Sequence, residues 1–247
     1  EFCCDKNSNL GKTAPNDCRV VRLTEKMNMA TEEGYQMAKQ EILKAGNECL
    51  LWGAIPCTGG CPWQAINEKL PGGEEKMRQH LVLFNDLWHN FSKLARLCRS
   101  LGGRVAIEWP RQCRYWKEPK VESLIESLGL EKAYLDGCHY GLVDHAGTPI
   151  KKPWTIATND IALHEELDMK KCPGAKTHHK HAQCSNTTAK ASAFYPDKMC
   201  HAIHKAWRKS CENEAQCAKA FAATMMNQLT QCEIEDAPEM PRKRLGI

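Results

Sequence analysis

Two apolar runs with reactive tips constrain the fold of this chain more than any other feature. The first, Cys49-Leu50-Leu51-Trp52-Gly53, passes into Ala54-Ile55-Pro56-Cys57-Thr58-Gly59-Gly60-Cys61-Pro62-Trp63. The second, Arg104-Val105-Ala106-Ile107, ends in Glu108-Trp109-Pro110. Short apolar runs bounded by Pro and Gly read as core strands. Between them Met77, Leu81, Phe84, Trp88, Phe91, Leu94, Ala95 and Cys98 recur at three- and four-residue steps. That period predicts a helix over 74–101, stopped by Gly102 and Gly103. Strand, helix and strand in this order build a parallel sheet, and ligands of an open α/β sheet gather at its strand tips. One tip here presents a thiol and the other a carboxylate.

The flanking sequence extends the alternation. Phe2-Cys3-Cys4 reads as the end of a strand, so the chain is expected to be a piece of a longer protein. Arg19-Val20-Val21-Arg22-Leu23 is a second strand candidate. A helix is predicted over 31–45, with Thr31 as cap, Glu32 and Glu33 in its first turn and Gly46 as its stop. Val121, Leu124, Ile125 and Leu128 mark a short helix ending at Gly129, and Ala133-Tyr134-Leu135 and Trp154-Thr155-Ile156-Ala157 two late strands. The expected fold is a doubly wound, mostly parallel α/β sheet, the two late strands forming a hairpin-like antiparallel edge. Four segments follow: a core over 1–160, a Cys/His-rich loop over 161–192, a helical segment over 193–232 and a disordered tail over 233–247.

The 247 residues carry a net charge of +4, too small a balance to establish a nucleic-acid partner by itself. Fifteen cysteines, an odd number scattered through helix and strand patterns alike, read as reduced thiols in an intracellular compartment. No run approaches the ~20 apolar residues of a membrane span.

Chemistry concentrates in three places. Pro56 fixes the backbone before Cys57, and Gly59 and Gly60 let the loop approach a ligand, so Cys57 reads as a nucleophile, with Cys61 its competitor. Glu108 directly follows a core strand, where burial raises a carboxyl pKa and makes it a proton donor. An ion pair with Arg104, Arg111 or Arg114 is the structural alternative. Trp109, Tyr115 and Trp116, interleaved with Arg111, Arg114 and Lys117, form a stacking and phosphate-binding candidate, or else core. The third place is 172–184, where Cys172 and Cys184 bracket His178, His179 and His181 in a polar loop. Cys172, His179, His181 and Cys184 match a structural zinc site by residue type, with Cys138-His139 and Cys200, His201 and His204 as lower-ranked sets. Lys170, Lys171, Lys176 and Lys180 put positive charge on the same loop.

Pro56-Cys57, followed later by Glu108-Trp109-Pro110, resembles the DNA cytosine-5 methyltransferase family, whose Pro-Cys and Glu-Asn-Val elements follow successive strands. Tyr140-Gly141-Leu142-Val143 looks like that family's Tyr-Gly-Val-Pro turn, and Pro149 to Ile156 like its basic segment before the last strand. The resemblance covers residues 1–158. It implies a Rossmann-like fold and S-adenosylmethionine as methyl donor. Phe2, Cys3, Cys4, Asp5, Leu10 and Gly11 stand for the donor loop, Thr24 and Glu25 for the ribose contact, and Pro56 beside them. It also implies Cys57 as nucleophile, Glu108 as acid and Lys152 as a further catalytic residue. The expected substrate is cytosine in DNA, with RNA second, and the expected location is the nucleus. The donor loop has no Gly-x-Gly, which supports a second reading as a catalytically degenerate, zinc-containing nucleic-acid-binding module. A redox or metal protein built on Cys57, Cys61 and Cys113 is the third.

Overall fold

The computed structural model describes residues 1–174, 177, 180–183, 188 and 192–235. Its strands are β1 (Phe2–Cys4), β2 (Leu23–Thr24), β3 (Leu50–Gly53), β4 (Arg104–Pro110), β5 (Glu131–Asp136) and β6 (Pro153–Thr158). The helices are α1 (Asn9–Lys12), α2 (Glu32–Ala45), α3 (Gln64–Asn67), α4 (Gly73–Ser100), α5 (Pro119–Leu128), α6 (Ile161–Leu167) and α7 (Asp197–Glu235). The strands form one sheet in the order β2-β1-β3-β4-β6-β5. β1 to β4 pair in parallel, whereas β6 is antiparallel to both β4 and β5.

The fold is therefore α/β with a mixed six-stranded sheet, not the mostly parallel one expected. The two late strands do pair with each other, but β6 inserts between β4 and β5 rather than lying at the edge. Their side chains explain the order. β6 is buried along almost its whole length, as an interior strand must be. β5 exposes Glu131 and Tyr134, which an edge tolerates. The strand expected over 19–23 is reduced to Leu23–Thr24, because Arg19 is drawn to Glu41 and Arg22 donates to the Ser8 carbonyl at 3.1 Å.

Side-chain parity divides the core. Val105, Ile107 and Trp109 of β4 face one cluster, with Phe84, Trp88, Phe91 and Leu94 of α4 and Val121 and Leu124 of α5. Ala106 joins the other, with Trp52, Trp154, Ile156, Leu163 of α6 and Tyr195, Met199 and Ile203 around the start of α7. Gly53 is required at the tip of β3: a Cβ there would lie 2.6 Å from the Phe91 ring.

Residues 1–208 form one compact unit, and Lys209–Ile247 a second. Borders at 160 and 192 therefore mark no structural division, since α6 and the first turns of α7 fill the same core as the sheet. Helix α7 runs to Glu235, three residues into the predicted tail, and 236–247 lie outside the described residues. Among the described residues no helix is long and apolar enough to cross a membrane.

Candidate functional site

Four parallel strands bring their C-terminal tips to one edge of the sheet. Because β6 runs the other way, its N-terminal end reaches that edge too. A cavity of about 390 Å³ opens there, lined by Cys3 and Cys4 of β1 and Asp5 after it, Pro56 and Cys57 after β3, Glu108 of β4, Lys152 before β6, and Tyr195. The three predicted catalytic residues, Cys57, Glu108 and Lys152, thus meet in one place. Cys61 is not among the lining residues.

Glu108 has the even parity of Ala106 and so points away from α4, toward Tyr195. The Tyr195 hydroxyl donates to Glu108 Oε2 at 3.0 Å and accepts from the Trp52 indole N–H at 3.1 Å. This relay fixes one carboxyl oxygen and leaves the other to the cavity. Burial pushes the Glu108 carboxyl up to about 7, against the opposing charge of Lys152 and the Tyr195 hydrogen bond. The folded value lies above the ordinary 4.5, so the native state holds the proton more tightly than the unfolded chain does. The stability this contributes is complete below pH 4.5 and is lost as pH rises through 7. Denaturant titrations should therefore show wild type losing about 3 kcal/mol between pH 4.5 and 8 relative to Glu108→Gln. Identical pH slopes for the two proteins would refute a buried, titrating Glu108.

Cys57 is half-buried and its thiol is pushed up to about 11, first by burial and then by the Glu108 charge, with Lys152 opposing. It is a neutral thiol at pH 7. Lys152 donates to the Ser192 carbonyl, and its ammonium lies 5.0 Å from the centre of the Trp154 ring. Its backbone is left-handed at φ 27°, a strained conformation for a non-glycine residue and one that concentrates at functional sites.

A second cavity, about 780 Å³, shares Cys3, Cys4, Asp5 and Pro56 with the first and adds Thr24, Glu25 and Met29. Six of the nine predicted cofactor residues line it. Phe2 does not: it is fully buried, edge-on to Phe91. Leu10 is in the core and Gly11 packs against the Arg22 guanidinium, so neither reaches this cavity. Cys3 takes φ 63° at the irregular end of β1, the conformation a glycine would supply in a phosphate- or nucleoside-binding turn.

The aromatic nucleic-acid surface is corrected. Trp109 and Tyr115 are 1% exposed and Trp116 6%. Tyr115 stacks on Phe84 at 3.6 Å between ring centres, and the Trp109 indole donates to the Ile55 carbonyl at 2.7 Å. Strand parity sends Trp109 into the α4 core, and the turn after β4 folds the other two rings onto it. Arg111 is held by Asp136 and the Leu135 carbonyl. Arg114 and Lys117 remain exposed.

Cys138, Cys172 and His181 form a cluster able to hold a metal ion, their ligand atoms all within 4.8 Å of one another. Of the predicted zinc set, Cys172 and His181 are in it, while His179 and Cys184 lie outside the described residues. Cys138 enters from the turn after β5. The Cys172 sulfur is 3.4 Å from His181 Nε2, close to the ~3.6 Å edge of a tetrahedral zinc site with one sulfur and one nitrogen ligand. The Gly174 N–H points at the same sulfur at 3.4 Å, and the Cys172 N–H donates to Asp136 at 3.0 Å. Burial, then the Cys172 thiol, pushes Cys138 up to about 12.

No family model matches this chain. Neither a curated protein nor a solved structure matches it. The functional reading therefore rests on the geometry of the chain's own residues.

Sequence reasoning missed Tyr195 and the role of Cys138. Phe194-Tyr195-Pro196 stands before a helix start, but nothing in it names Glu108, 87 residues away, as its partner. Cys138 was visible as half of Cys138-His139, and only the fold sets it opposite Cys172.

Proposed function

We propose that this protein is an S-adenosylmethionine-dependent methyltransferase acting on carbon 5 of cytosine, in DNA before RNA. The observation that carries this reading is the convergence of Cys57, Glu108 and Lys152 on one cavity whose wall is shared with a second, nucleoside-sized one. The larger cavity fits the donor in volume, and Glu25 at the tip of β2 offers a carboxylate for its ribose hydroxyls. Cys4, Asp5 and Pro56 would flank the sulfonium end, where the two cavities meet. Bound S-adenosylmethionine supplies an electrophilic methyl group. The sheet order, with an antiparallel strand between the last two, supports a Rossmann-like methyltransferase relationship.

The residues divide the work. Cys57 adds to carbon 6 of the ring and makes carbon 5 nucleophilic; loss of the carbon 5 proton later expels the thiolate. Glu108, its carboxyl pushed up to about 7 by burial, donates in its protonated form to nitrogen 3 and relieves the charge that addition creates. Tyr195 orients that carboxyl, and Lys152 adds positive charge beside it. Because the thiol is neutral at rest, its proton must pass to a base as the cytosine binds; the ionised form of Glu108, on the same cavity, would take it and then give it to nitrogen 3. A cavity of about 390 Å³ takes a single base, so a duplex target has to be flipped out. With the aromatics buried, Arg114 and Lys117, with Lys170, Lys171 and Lys180 of the Cys/His-rich loop, are the phosphate contacts. The metal is proposed to be one structural zinc ion that fastens this loop.

Calorimetric titration with S-adenosylmethionine tests the reading. Wild type should bind, and Glu25→Ala should bind about tenfold more weakly or worse, the loss of a charge-assisted hydrogen-bond pair. No binding at millimolar donor refutes the enzyme. It would favour the degenerate nucleic-acid-binding module, which the side chains of Cys3 and Cys4 in the donor loop also support.

A further inference from the structure

A third cavity, about 310 Å³, lies between residues 17–23, α2, the start of β3 and α7, and it holds Cys18 and His204, which the proposed reaction does not use. Cys18 sits in the loop before β2, and His204 on α7. The Cys18 sulfur lies 3.7 Å from His204 Nδ1. His204 Nε2 is 2.8 Å from the Leu10 carbonyl, which can only accept, so Nε2 carries the hydrogen and Nδ1 presents its lone pair to the thiol.

The pair is built into place. Arg208, one helical turn after His204, grips the Asp17 carboxylate with two hydrogen bonds of 2.9 and 2.7 Å. Asp17 and Cys18 are adjacent in the loop as His204 and Arg208 are adjacent on the helix face, so the ion pair sets the register of the thiol against the imidazole. His204 is itself 6% exposed, and burial holds its pKa below the ordinary value, with His201 and Arg208 acting the same way and Asp17 and the Leu10 carbonyl against. It is a neutral base at pH 7. Cys18 is half-buried and within reach of solvent.

We propose that Cys18 and His204 form a second nucleophilic site that takes an apolar acyl group from a thioester. A thiol within reach of a base that a third group orients is the arrangement of an activated nucleophile. Beside it the cavity wall is aliphatic, from Val21, Leu23, Ala38, Ile42 and Leu51. Of the charged residues that also line the cavity, Arg19 and Lys44 are both paired with Glu41 and Asp17 with Arg208, while Glu1 and Glu48 add carboxylates, so an acyl chain would lie along the aliphatic part of the wall. In the step, the Cys18 proton passes to Nδ1 and the thiolate attacks the thioester carbonyl. The bond to the departing sulfur then breaks, and that thiolate takes the proton back from His204. One thioester is exchanged for another, with no oxidant or reductant.

The test reads Cys18 by peptide mass mapping, with exposed Cys217 as the reference thiol in the same molecule. With iodoacetamide at pH 7, Cys18 should react about tenfold faster than Cys217, and its rate should level off at a pH where that of Cys217 is still climbing. His204→Gln keeps a donor for the Leu10 carbonyl but loses the basic nitrogen. It should slow Cys18 about tenfold and leave Cys217 unchanged. If that variant fails to fold, the wild-type pH profile alone decides. With N-acetylcysteamine thioesters, Cys18 should acylate faster from octanoyl than from acetyl. A Cys18 rate no greater than that of Cys217, or indifferent to His204→Gln in a folded variant, overturns the nucleophile. Equal rates for the two thioesters overturn the acyl assignment.

Discussion

Cys57→Ser should lower methyl transfer to cytosine by at least about ten-thousandfold while leaving S-adenosylmethionine affinity unchanged. Serine is nearly isosteric at this half-buried tip, so the loop that Gly59 and Gly60 form against Tyr115 and Cys113 is kept. What disappears is the sulfur proposed to add to carbon 6. A hydroxyl, far more basic than the thiol it replaces, makes no comparable nucleophile without a strong base beside it, and the neighbouring carboxyl is partly protonated at pH 7. The measurement is transfer of labelled methyl to cytosine-containing oligonucleotides, alongside donor titration of the same preparation. Retained transfer would remove Cys57 from the mechanism and redirect attention to Cys61. Lost transfer together with lost donor binding would instead show that the substitution had disturbed the wall between the two cavities.

Cys138→Ser should reduce bound zinc from one ion per chain to a small fraction, with affinity falling at least about a hundredfold. The cluster has few ways to compensate. Cys138 is the buried member, set by the turn in which the Gly137 N–H is held by the Lys151 and Lys152 carbonyls at 2.6 and 3.0 Å. Cys172 and His181 belong to the loop on the other side, tied to the sheet at the Asp136 carboxylate and, through the Ala182 N–H, at the Pro149 carbonyl. The ion would bridge these two stretches, so its loss should speed hydrogen exchange over 169–174 and 180–183 while α4 keeps its protection. Metal content by atomic spectrometry and exchange by mass spectrometry check both halves. Zinc retained in the variant would show that Cys138 is not a ligand. The Gly137 N–H in the turn that carries Cys138 also donates to the Lys152 carbonyl, so under the proposed function a loosened metal loop should weaken methyl transfer.

How much of this could be read from the chain differs from one element to the next. The long helix was legible because its apolar residues keep a 3.6-residue period through eight positions, and the structure runs it over Gly73–Ser100. The helix over 31–45 was legible from its ends: the Thr31 hydroxyl accepts from the Gly34 N–H at 3.3 Å and Gly46 follows the last turn. Strand alternation also held the information that corrects the aromatic surface. Val105, Ile107 and Trp109 share one face of β4, and once α4 covers that face the indole is core. Of the two readings the sequence left open for Trp109, Tyr115 and Trp116, stacking surface or core, the structure gives core.

The sequence by itself determined the local elements and the chemistry at their tips. Periodicity, caps and Gly/Pro punctuation act over a few residues and need no distant partner. It therefore placed Cys57 and Glu108 at the tips of two strands, which the parallel register of Gly53 on Ile107 brings together in the structure. Only the tertiary structure decided the strand order, the insertion of β6 beside β4, the Tyr195 relay to Glu108 and the entry of Cys138 into the metal cluster. Each depends on contacts between segments tens to nearly one hundred and fifty residues apart. Such contacts are chosen by which buried faces and unsatisfied polar groups complete one another in three dimensions, and no local pattern in the chain records that choice.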